Sequence, residues 1–253
     1  YNQDGYLQHR RLPKRNFMKK YYYDLHIHSC LSPCGDDDST PNSIAGMGEL
    51  NGLDIMALTD HNTARNCPYF FEAAKNHGIL AIAGMELTTA EEIHVICLFE
   101  TLENAFAFEK EIEPKRILIK NRTDIFGNQL ICDSEDNLIG TDEYLLSNAT
   151  TISFDDVPDL VKKFDGVCYP AHIDRDSNSV TAVLGGLPPQ SNFKFAELHD
   201  KSKAEKFENT NCEFIISSDA HYLWDISEKE NYFLLPDDDE NAIKNLFKLL
   251  RDK

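Results

Sequence analysis

No apolar run in this 253-residue sequence approaches the roughly 18 residues needed to cross a membrane as a helix, so a soluble, globular protein with no membrane partner is expected. Basic residues are scarce, with 25 against 43 acidic ones and a formal net charge of -18, and such a surface repels phosphate backbones. That balance predicts no long duplex nucleic acid among its partners. Small anionic substrates stay open, because bound divalent cations can reverse the field inside a pocket. The seven cysteines are odd in number and scattered from Cys30 to Cys212, which excludes a compact disulfide framework and suits a reducing cytoplasm. Internal repeats, low-complexity tracts and a signal peptide are also missing. Residues 1–20, with a basic cluster at Arg10, Arg11, Lys14 and Arg15, read as a leader outside the fold, in part of artificial origin.

What the sequence does contain is a repeated arrangement of a short apolar run followed at once by polar, reactive residues. Tyr21 to Leu25 leads into His26, Leu53 to Thr59 into Asp60 and His61, and Ile79 to Met85 into Glu86. Val167 to Ala171 leads into His172, and Phe214 to Ser218 into Asp219 and His221. Each run has the length of a buried strand. Helix signals lie between them: Thr40-Pro41 as cap and first turn with Gly52 as stop, then a helix from about Pro68 to His77 ending at Gly78. This alternation predicts a parallel sheet, and reactive residues after strands match the active face of an α/β barrel. His94 departs from the rule because it precedes its apolar run, Val95 to Phe99. Residues 21–100 and 166–253 are expected to form the two parts of the barrel. Residues 101–165 read as an inserted lid or subdomain, with a charged helix from Glu103 to Ile119 and hairpin turns at Gly127-Asn128 and Asp136-Asn137. Ile243, Leu246, Phe247 and Leu250 share one face of a closing helix over Asn241 to Leu250.

In Asp24-Leu25-His26-Ile27-His28 the two histidines project to one face of a strand and can grip one cation. Asp219-Ala220-His221 repeats the geometry with a hard oxygen and a borderline nitrogen, a mixture suited to zinc, manganese or ferrous iron. Taken singly, each motif also reads as half-buried histidines or a capped strand end. Together they point to a metal centre.

The motifs DLHIHS at 24–29, LTDHN at 58–62, GMEL at 84–87, EIHVI at 92–96, YPAHIDR at 169–175 and SSDAH at 217–221 resemble those of the PHP (polymerase and histidinol phosphatase) family of metal-dependent phosphoesterases. The resemblance implies a distorted seven-stranded TIM-like barrel holding two or three divalent ions. His26, His28, Glu86 and Asp219 would hold the first, with Glu86 bridging to a second at His94 and His172, and His61 and His221 would hold a third. A further ligand is expected from the loop after the first motif, where Cys34 and Asp36 compete. The expected nucleophile is a metal-bridging hydroxide, supported by His61, Glu86 and Asp219, with Asp60 orienting His61. Arg175 is the expected phosphate ligand, with Asn62 and Asn178 as further substrate contacts; a surface salt bridge is the ordinary alternative for Arg175. His9 falls in the leader and His77 at a helix end, while His199 is a candidate for the pocket with a surface role as the favoured reading.

The expected activity is hydrolysis of a small phosphorylated metabolite, nucleotide or short oligonucleotide. Two alternatives stand beside it: C–N hydrolysis of the amidohydrolase type, and a non-catalytic metal-binding regulatory module. The sequence leaves the oligomeric state open.

Overall fold

The computed structural model describes residues 17–189 and 191–252, so most of the expected leader, His9 included, lies outside the described residues. In chain order the elements are β1 (Met18–Ile27), α1 (Pro41–Asn51), β2 (Ile55–Leu58), α2 (Cys67–Asn76), β3 (Leu80–Thr88), β4 (His94–Phe99), α3 (Leu102–Ile112), α4 (Thr123–Phe126), β5 (Leu130–Cys132), β6 (Leu138–Thr141), α5 (Val157–Lys162), β7 (Val167–Pro170), α6 (Val180–Leu184), β8 (Phe195–Leu198), β9 (Glu213–Ile216), β10 (Tyr232–Pro236) and α7 (Ala242–Asp252). Met18 to Lys20, placed in the leader by sequence, begin β1 and pair with β10.

The signals that start and stop the first helices act as expected. Thr40 caps α1 by accepting from the Ser43 N–H, and Gly52 ends it at φ 72°, a left-handed conformation that glycine adopts without strain. Gly78, at φ 70°, follows α2. The charged helix is shorter than its sequence pattern: α3 stops at Ile112, and Pro114 turns the chain into a single 3-10 turn. Asp136, at φ 67°, makes the β5–β6 hairpin turn. Gly127-Asn128 makes none. Gly127 instead caps α4, and a Cβ there would lie 2.3 Å from the Pro33 carbonyl oxygen, so its role is close passage of two backbones.

Hydrogen bonding forms one curled six-stranded sheet, ordered β10-β1-β2-β3-β4-β7, and a separate parallel pair β8-β9. A continuous seven-stranded ring is not what the ladders form. The pair reaches the main sheet at two seams: the Ile173 N–H donates to the Glu197 carbonyl at 2.9 Å, and Ile27 bridges Ala220 beside the His28 N–H···Ala220 carbonyl bond of 2.9 Å.

β1, β2 and β3 run parallel, β4 antiparallel to β3, and β7 antiparallel to β4. Because β4 is reversed, its first residue lies at the end of the sheet where the parallel strands finish. This explains why His94 precedes its apolar run while its companions follow theirs. Alternation along the strands sends Tyr23, Leu25, Ala57, Ile82 and Leu98 into one core with Leu246, Phe247 and Leu250 of α7. Met56, Leu58, Ala83, Met85 and Phe99 enter a second core with Ile44 of α1, Phe70 of α2 and Phe108 of α3. Covered on both faces, the central strands read as continuous apolar runs. No helix among the described residues is long and apolar enough to cross a membrane.

Candidate metal centre

Strand ends and the loops after them carry every histidine of the site. His26 and His28 come from the end of β1, His61 from the residues after β2, Glu86 from β3, His94 from the start of β4, His172 from the loop after β7, and Asp219 and His221 from the loop after β9. Two of these residues hold left-handed backbone, Asp219 at φ 53° and His172 at φ 29°. Non-glycine residues persist there when the surrounding contacts over-determine them, a pattern common at functional sites.

Glu86 is the hub. Its Oε1 lies 2.8 Å from His94 Nδ1, 3.1 Å from His172 Nε2 and 3.4 Å from His26 Nε2, and its Oε2 lies 3.0 Å from His61 Nδ1 and 3.3 Å from His28 Nε2. Asp219 Oδ1 sits 3.1 Å from His26 Nε2 and 3.2 Å from His28 Nε2. Among the described residues the ligating atoms fall into three compact groups: His26, His28, Glu86 and Asp219; His61, Glu86 and His94; and His28, Cys34, His61 and His221.

The outer partners of the rings fix where their protons sit. His26 Nδ1 donates to the buried Glu197 carboxylate at 2.8 Å. The Ser32 hydroxyl donates to Asp60 at 2.7 Å and so accepts from His28 Nδ1 at 2.9 Å. His221 Nδ1 lies 2.7 Å from the Asp219 carbonyl. With one nitrogen of each ring committed as a donor, the Nε2 atoms of His26 and His28 present lone pairs to each other at 3.1 Å and to acceptor-only carboxylates. Asp219 Oδ1 and His172 Nδ1 are buried in no hydrogen bond of good geometry. Acceptors converging on acceptors in a buried space require a cation or protons between them, and nitrogen, oxygen and one sulfur donor suit zinc, manganese or iron. The residues present therefore fit divalent ions.

Charge points the same way. Burial opposes ionisation of Glu86 and Asp219, yet the surrounding imidazoles, His94 foremost for Glu86 and His26 for Asp219, hold both carboxyls well below their usual range. Burial lowers His28, but contacts with Asp219 and Glu86 outweigh it and push the ring up to about 9. In the ion-free protein a proton on Nε2 thus stands where a cation would. Burial brings His221 down to about 4, and burial together with neighbouring imidazoles holds His61 well below its usual value, so both rings are neutral, the form that ligates.

Several expected roles change. Cys34, not Asp36, joins the group around His61, with its Sγ 3.3 Å from His61 Nε2. The Asp36 carboxylate accepts from the Asp38 N–H and shapes its own loop. Asp60 accepts from the Ser29 N–H and from the hydroxyls of Ser29 and Ser32, so the ring it steadies is His28, through Ser32, rather than His61. Asn62 is no free substrate contact. Its side-chain amide donates to the carbonyls of Leu146 and Asn148 and accepts from the Thr88 N–H, clamping the returning arm of the 101–165 segment to β3.

The site opens into a cleft of about 310 Å³ lined by Cys34, Ser147, Arg175, Ser177 and Asn178 beside the histidines. Arg175 Nη1 lies 2.7 Å from Asp219 Oδ2, an ion pair at the ion groups and not on the outer surface. Asn178 stands on the cleft wall, its amide bonded to the Glu92 carbonyl at 3.1 Å. His199 is exposed, yet it bonds to Arg175 and to the Ser218 carbonyl. His77 bonds Glu49 of α1 at 2.7 Å, away from the cleft. Sequence reasoning missed Glu197 and Ser32. A buried glutamate within the apolar strand Phe195–Leu198 was the available signal for the first.

The PHP domain family profile matches residues 24–250, almost the whole chain, and the chain belongs to that family. It is 31% identical over 99 residues to an uncharacterized protein of Methanocaldococcus jannaschii, covering 36% of this chain and 58% of that one. With a 5'-3' exoribonuclease of Haemophilus influenzae it shares 35% identity over 79 residues, 30% of this chain and 28% of that one. Among solved structures it is similar to the lesion-specific endonuclease PfuEndoQ of Pyrococcus furiosus, with a TM-score of 0.64 at 16% identity over 92% of this chain and 56% of that one. A complex of Endonuclease Q with a 27-mer duplex, carrying an abasic lesion at the active site, gives a TM-score of 0.56 at 16% identity over 81% and 50%. At such identity the likeness is one of fold. The chain spans between 28% and 58% of the length of these proteins.

The duplex complex overturns one expectation. Net charge does not exclude long duplex nucleic acid, since a protein of the same fold holds a duplex at its active site. Charge summed over a whole surface says little about the field at one cleft, which bound cations and a few basic side chains set.

Proposed function

We propose that this chain is a metal-dependent phosphoesterase whose ions are held by the three groups around Glu86. The observation that carries the reading is the buried meeting of imidazole lone pairs and ionised carboxylates, open on one side to a cleft that presents Arg175. His26, His28, Glu86 and Asp219 would hold one ion, Glu86 and His94 with His61 or His172 a second, and His61, His221 and Cys34 a third. Such ions, zinc, manganese or iron, supply an activated water and neutralise charge on a phosphate.

The protein's own part is positioning. Glu197 and Ser32 fix the tautomers of His26 and His28, leaving Nε2 free on both. Arg175, held at the cleft wall by Asp219, offers its remaining N–H groups to phosphate oxygens, and Ser177 and Asn178 line the same wall as neutral hydrogen-bonding groups. The finer fold belongs to the same reading: β1 to β4 and β7 to β9 act as a distorted seven-stranded barrel open at two seams, with residues 101–165 as its lid. Support for the lid comes from Ser147 in the cleft and the Asn62 clamp beneath it.

The test is hydrolysis of nitrophenyl phosphate mono- and diesters, with carboxamides alongside, by protein stripped and reloaded with manganese or zinc. Metal-dependent release from a phosphate ester, abolished by Asp219→Asn in a folded chain, is expected. Carboxamide turnover alone, or no turnover with any metal, would sink the proposal.

A further inference from the structure

The chain contains a single tryptophan, Trp224, and its surroundings leave it 74% exposed. It stands three residues beyond His221 and stacks on Tyr222, with ring centroids 4.8 Å apart and planes 15° from parallel. Tyr222 is itself 41% exposed. Leu223, between the two residues in sequence, packs against the core and anchors the turn. An exposed, pre-stacked aromatic pair is a poor way to bury area within a chain and a good platform for a flat ligand.

Its position defines the ligand. Tyr222 lines a second cavity of about 560 Å³, which shares Arg175, Asp219 and His221 with the ion cleft. The Tyr222 Cα is one peptide unit, about 3.8 Å, from that of His221. The same cavity is lined by Asp225, Ser227, Glu230 and Asn231. A phosphate group would be repelled beside the two carboxylates, Asp225 and Glu230, whereas the amino groups of a neutral base would find acceptors there. The cavity beside the ion cleft is therefore lined by the Arg175 cation, by an aromatic side chain at Tyr222 and by hydrogen-bond acceptors.

We propose that Tyr222 and Trp224 form a stacking platform for a nucleobase flanking the scissile phosphate, so that the substrate is a nucleotide or nucleic-acid strand rather than a sugar phosphate. This rests on the phosphoesterase reading. Stacking on an aromatic side chain is tolerant of base identity, so no base preference follows.

The test compares a 5'-phosphorylated trinucleotide with the same sugar-phosphate backbone lacking its bases. Loss of a stacking side chain corresponds to roughly 5- to 100-fold in affinity, so KM should favour the base-bearing substrate by that factor, and Trp224→Ala or Tyr222→Ala should shrink the preference to about twofold while Trp224→Phe restores it. Because Trp224 is the sole tryptophan, its fluorescence in the zinc-loaded protein reports the contact without turnover. A phosphorothioate trinucleotide should quench it saturably, and the abasic analogue should not. Equal KM values with no selective quenching would overturn the platform and leave these rings to a protein contact. If neither substrate is cleaved with any metal, the phosphoesterase reading fails by itself, and the quenching still decides for or against the base site.

Discussion

Replacing Glu197 by alanine should loosen one ion without dismantling the site. The carboxylate is fully buried, accepts from His26 Nδ1 at 2.8 Å and accepts from the His172 N–H at 3.0 Å, so both the ring and the backbone of two candidate ligands lean on one oxygen. Removing that acceptor frees the His26 tautomer, and partners of this kind are worth about 10- to 100-fold in metal affinity, or about 1.4 to 2.7 kcal/mol. Two buried donors are also left unpaired, a folding penalty of about 1–3 kcal/mol each. Against it stands the other carboxylate oxygen, which has no hydrogen bond in the native state and whose removal relieves some strain. Glu197→Gln keeps an acceptor of the same shape and should cost less than tenfold in affinity. The assay is competitive chelator titration of zinc, paired with thermal melts of the ion-free form. Gly166→Ala serves as the control for mere destabilisation, since its new Cβ would lie 2.6 Å from Val161 and 2.7 Å from Phe99, in the core and away from the ions. The reasoning is refuted if Glu197→Ala binds zinc as tightly as the unaltered protein, or if Gly166→Ala weakens zinc equally.

Asn62→Ala should destabilise by about 2–4 kcal/mol, because two carbonyls and one buried N–H lose their partner, and amide exchange should speed up at Leu146 and Asn148 before it does in β3. Loading the ion-free protein at pH 7 should release protons. His28, pushed up to about 9 against the lowering effect of burial, carries a proton that a cation must displace, so release read from calorimetry in buffers of differing ionisation enthalpy should fall away above that pH. The sign follows for stability as well: a folded-state value raised above the unfolded one of about 6.5 stabilises the ion-free form below that pH and is lost as pH rises through about 9. Arg175→Lys should lower kcat/KM for phosphate esters by roughly 10- to 100-fold, since a point charge cannot replace the planar fork; a change under about twofold would place Arg175 outside the phosphate site.

Much of this site was legible because its chemistry is local. Histidines two apart on a strand share a face, and a polar residue after an apolar run sits at a strand end, so His26, His28, His61, His172, Asp219 and His221 could be read from spacing. Strand direction is not local. His94 looked anomalous until β4 proved antiparallel, and only pairing with Thr88 at the end of β3 shows why it faces Glu86. The outer partners were hidden for a related reason. Glu197 lies 171 residues from His26, and Ser32 joins Asp60 to His28 across two loops, contacts no sequence window contains. Asn62 was misread because a polar residue beside a ligand looks available for substrate, whereas its amide is engaged at both nitrogen and oxygen. The charge argument failed differently, by treating an average over the surface as a property of one cleft.

Metal content per chain bears most directly on the account. Equilibrium dialysis of stripped protein against zinc or manganese, followed by elemental analysis, should return two or three ions per chain, with one fewer after Cys34→Ala combined with His221→Ala. A value of one or none in the unaltered, folded protein would contradict it.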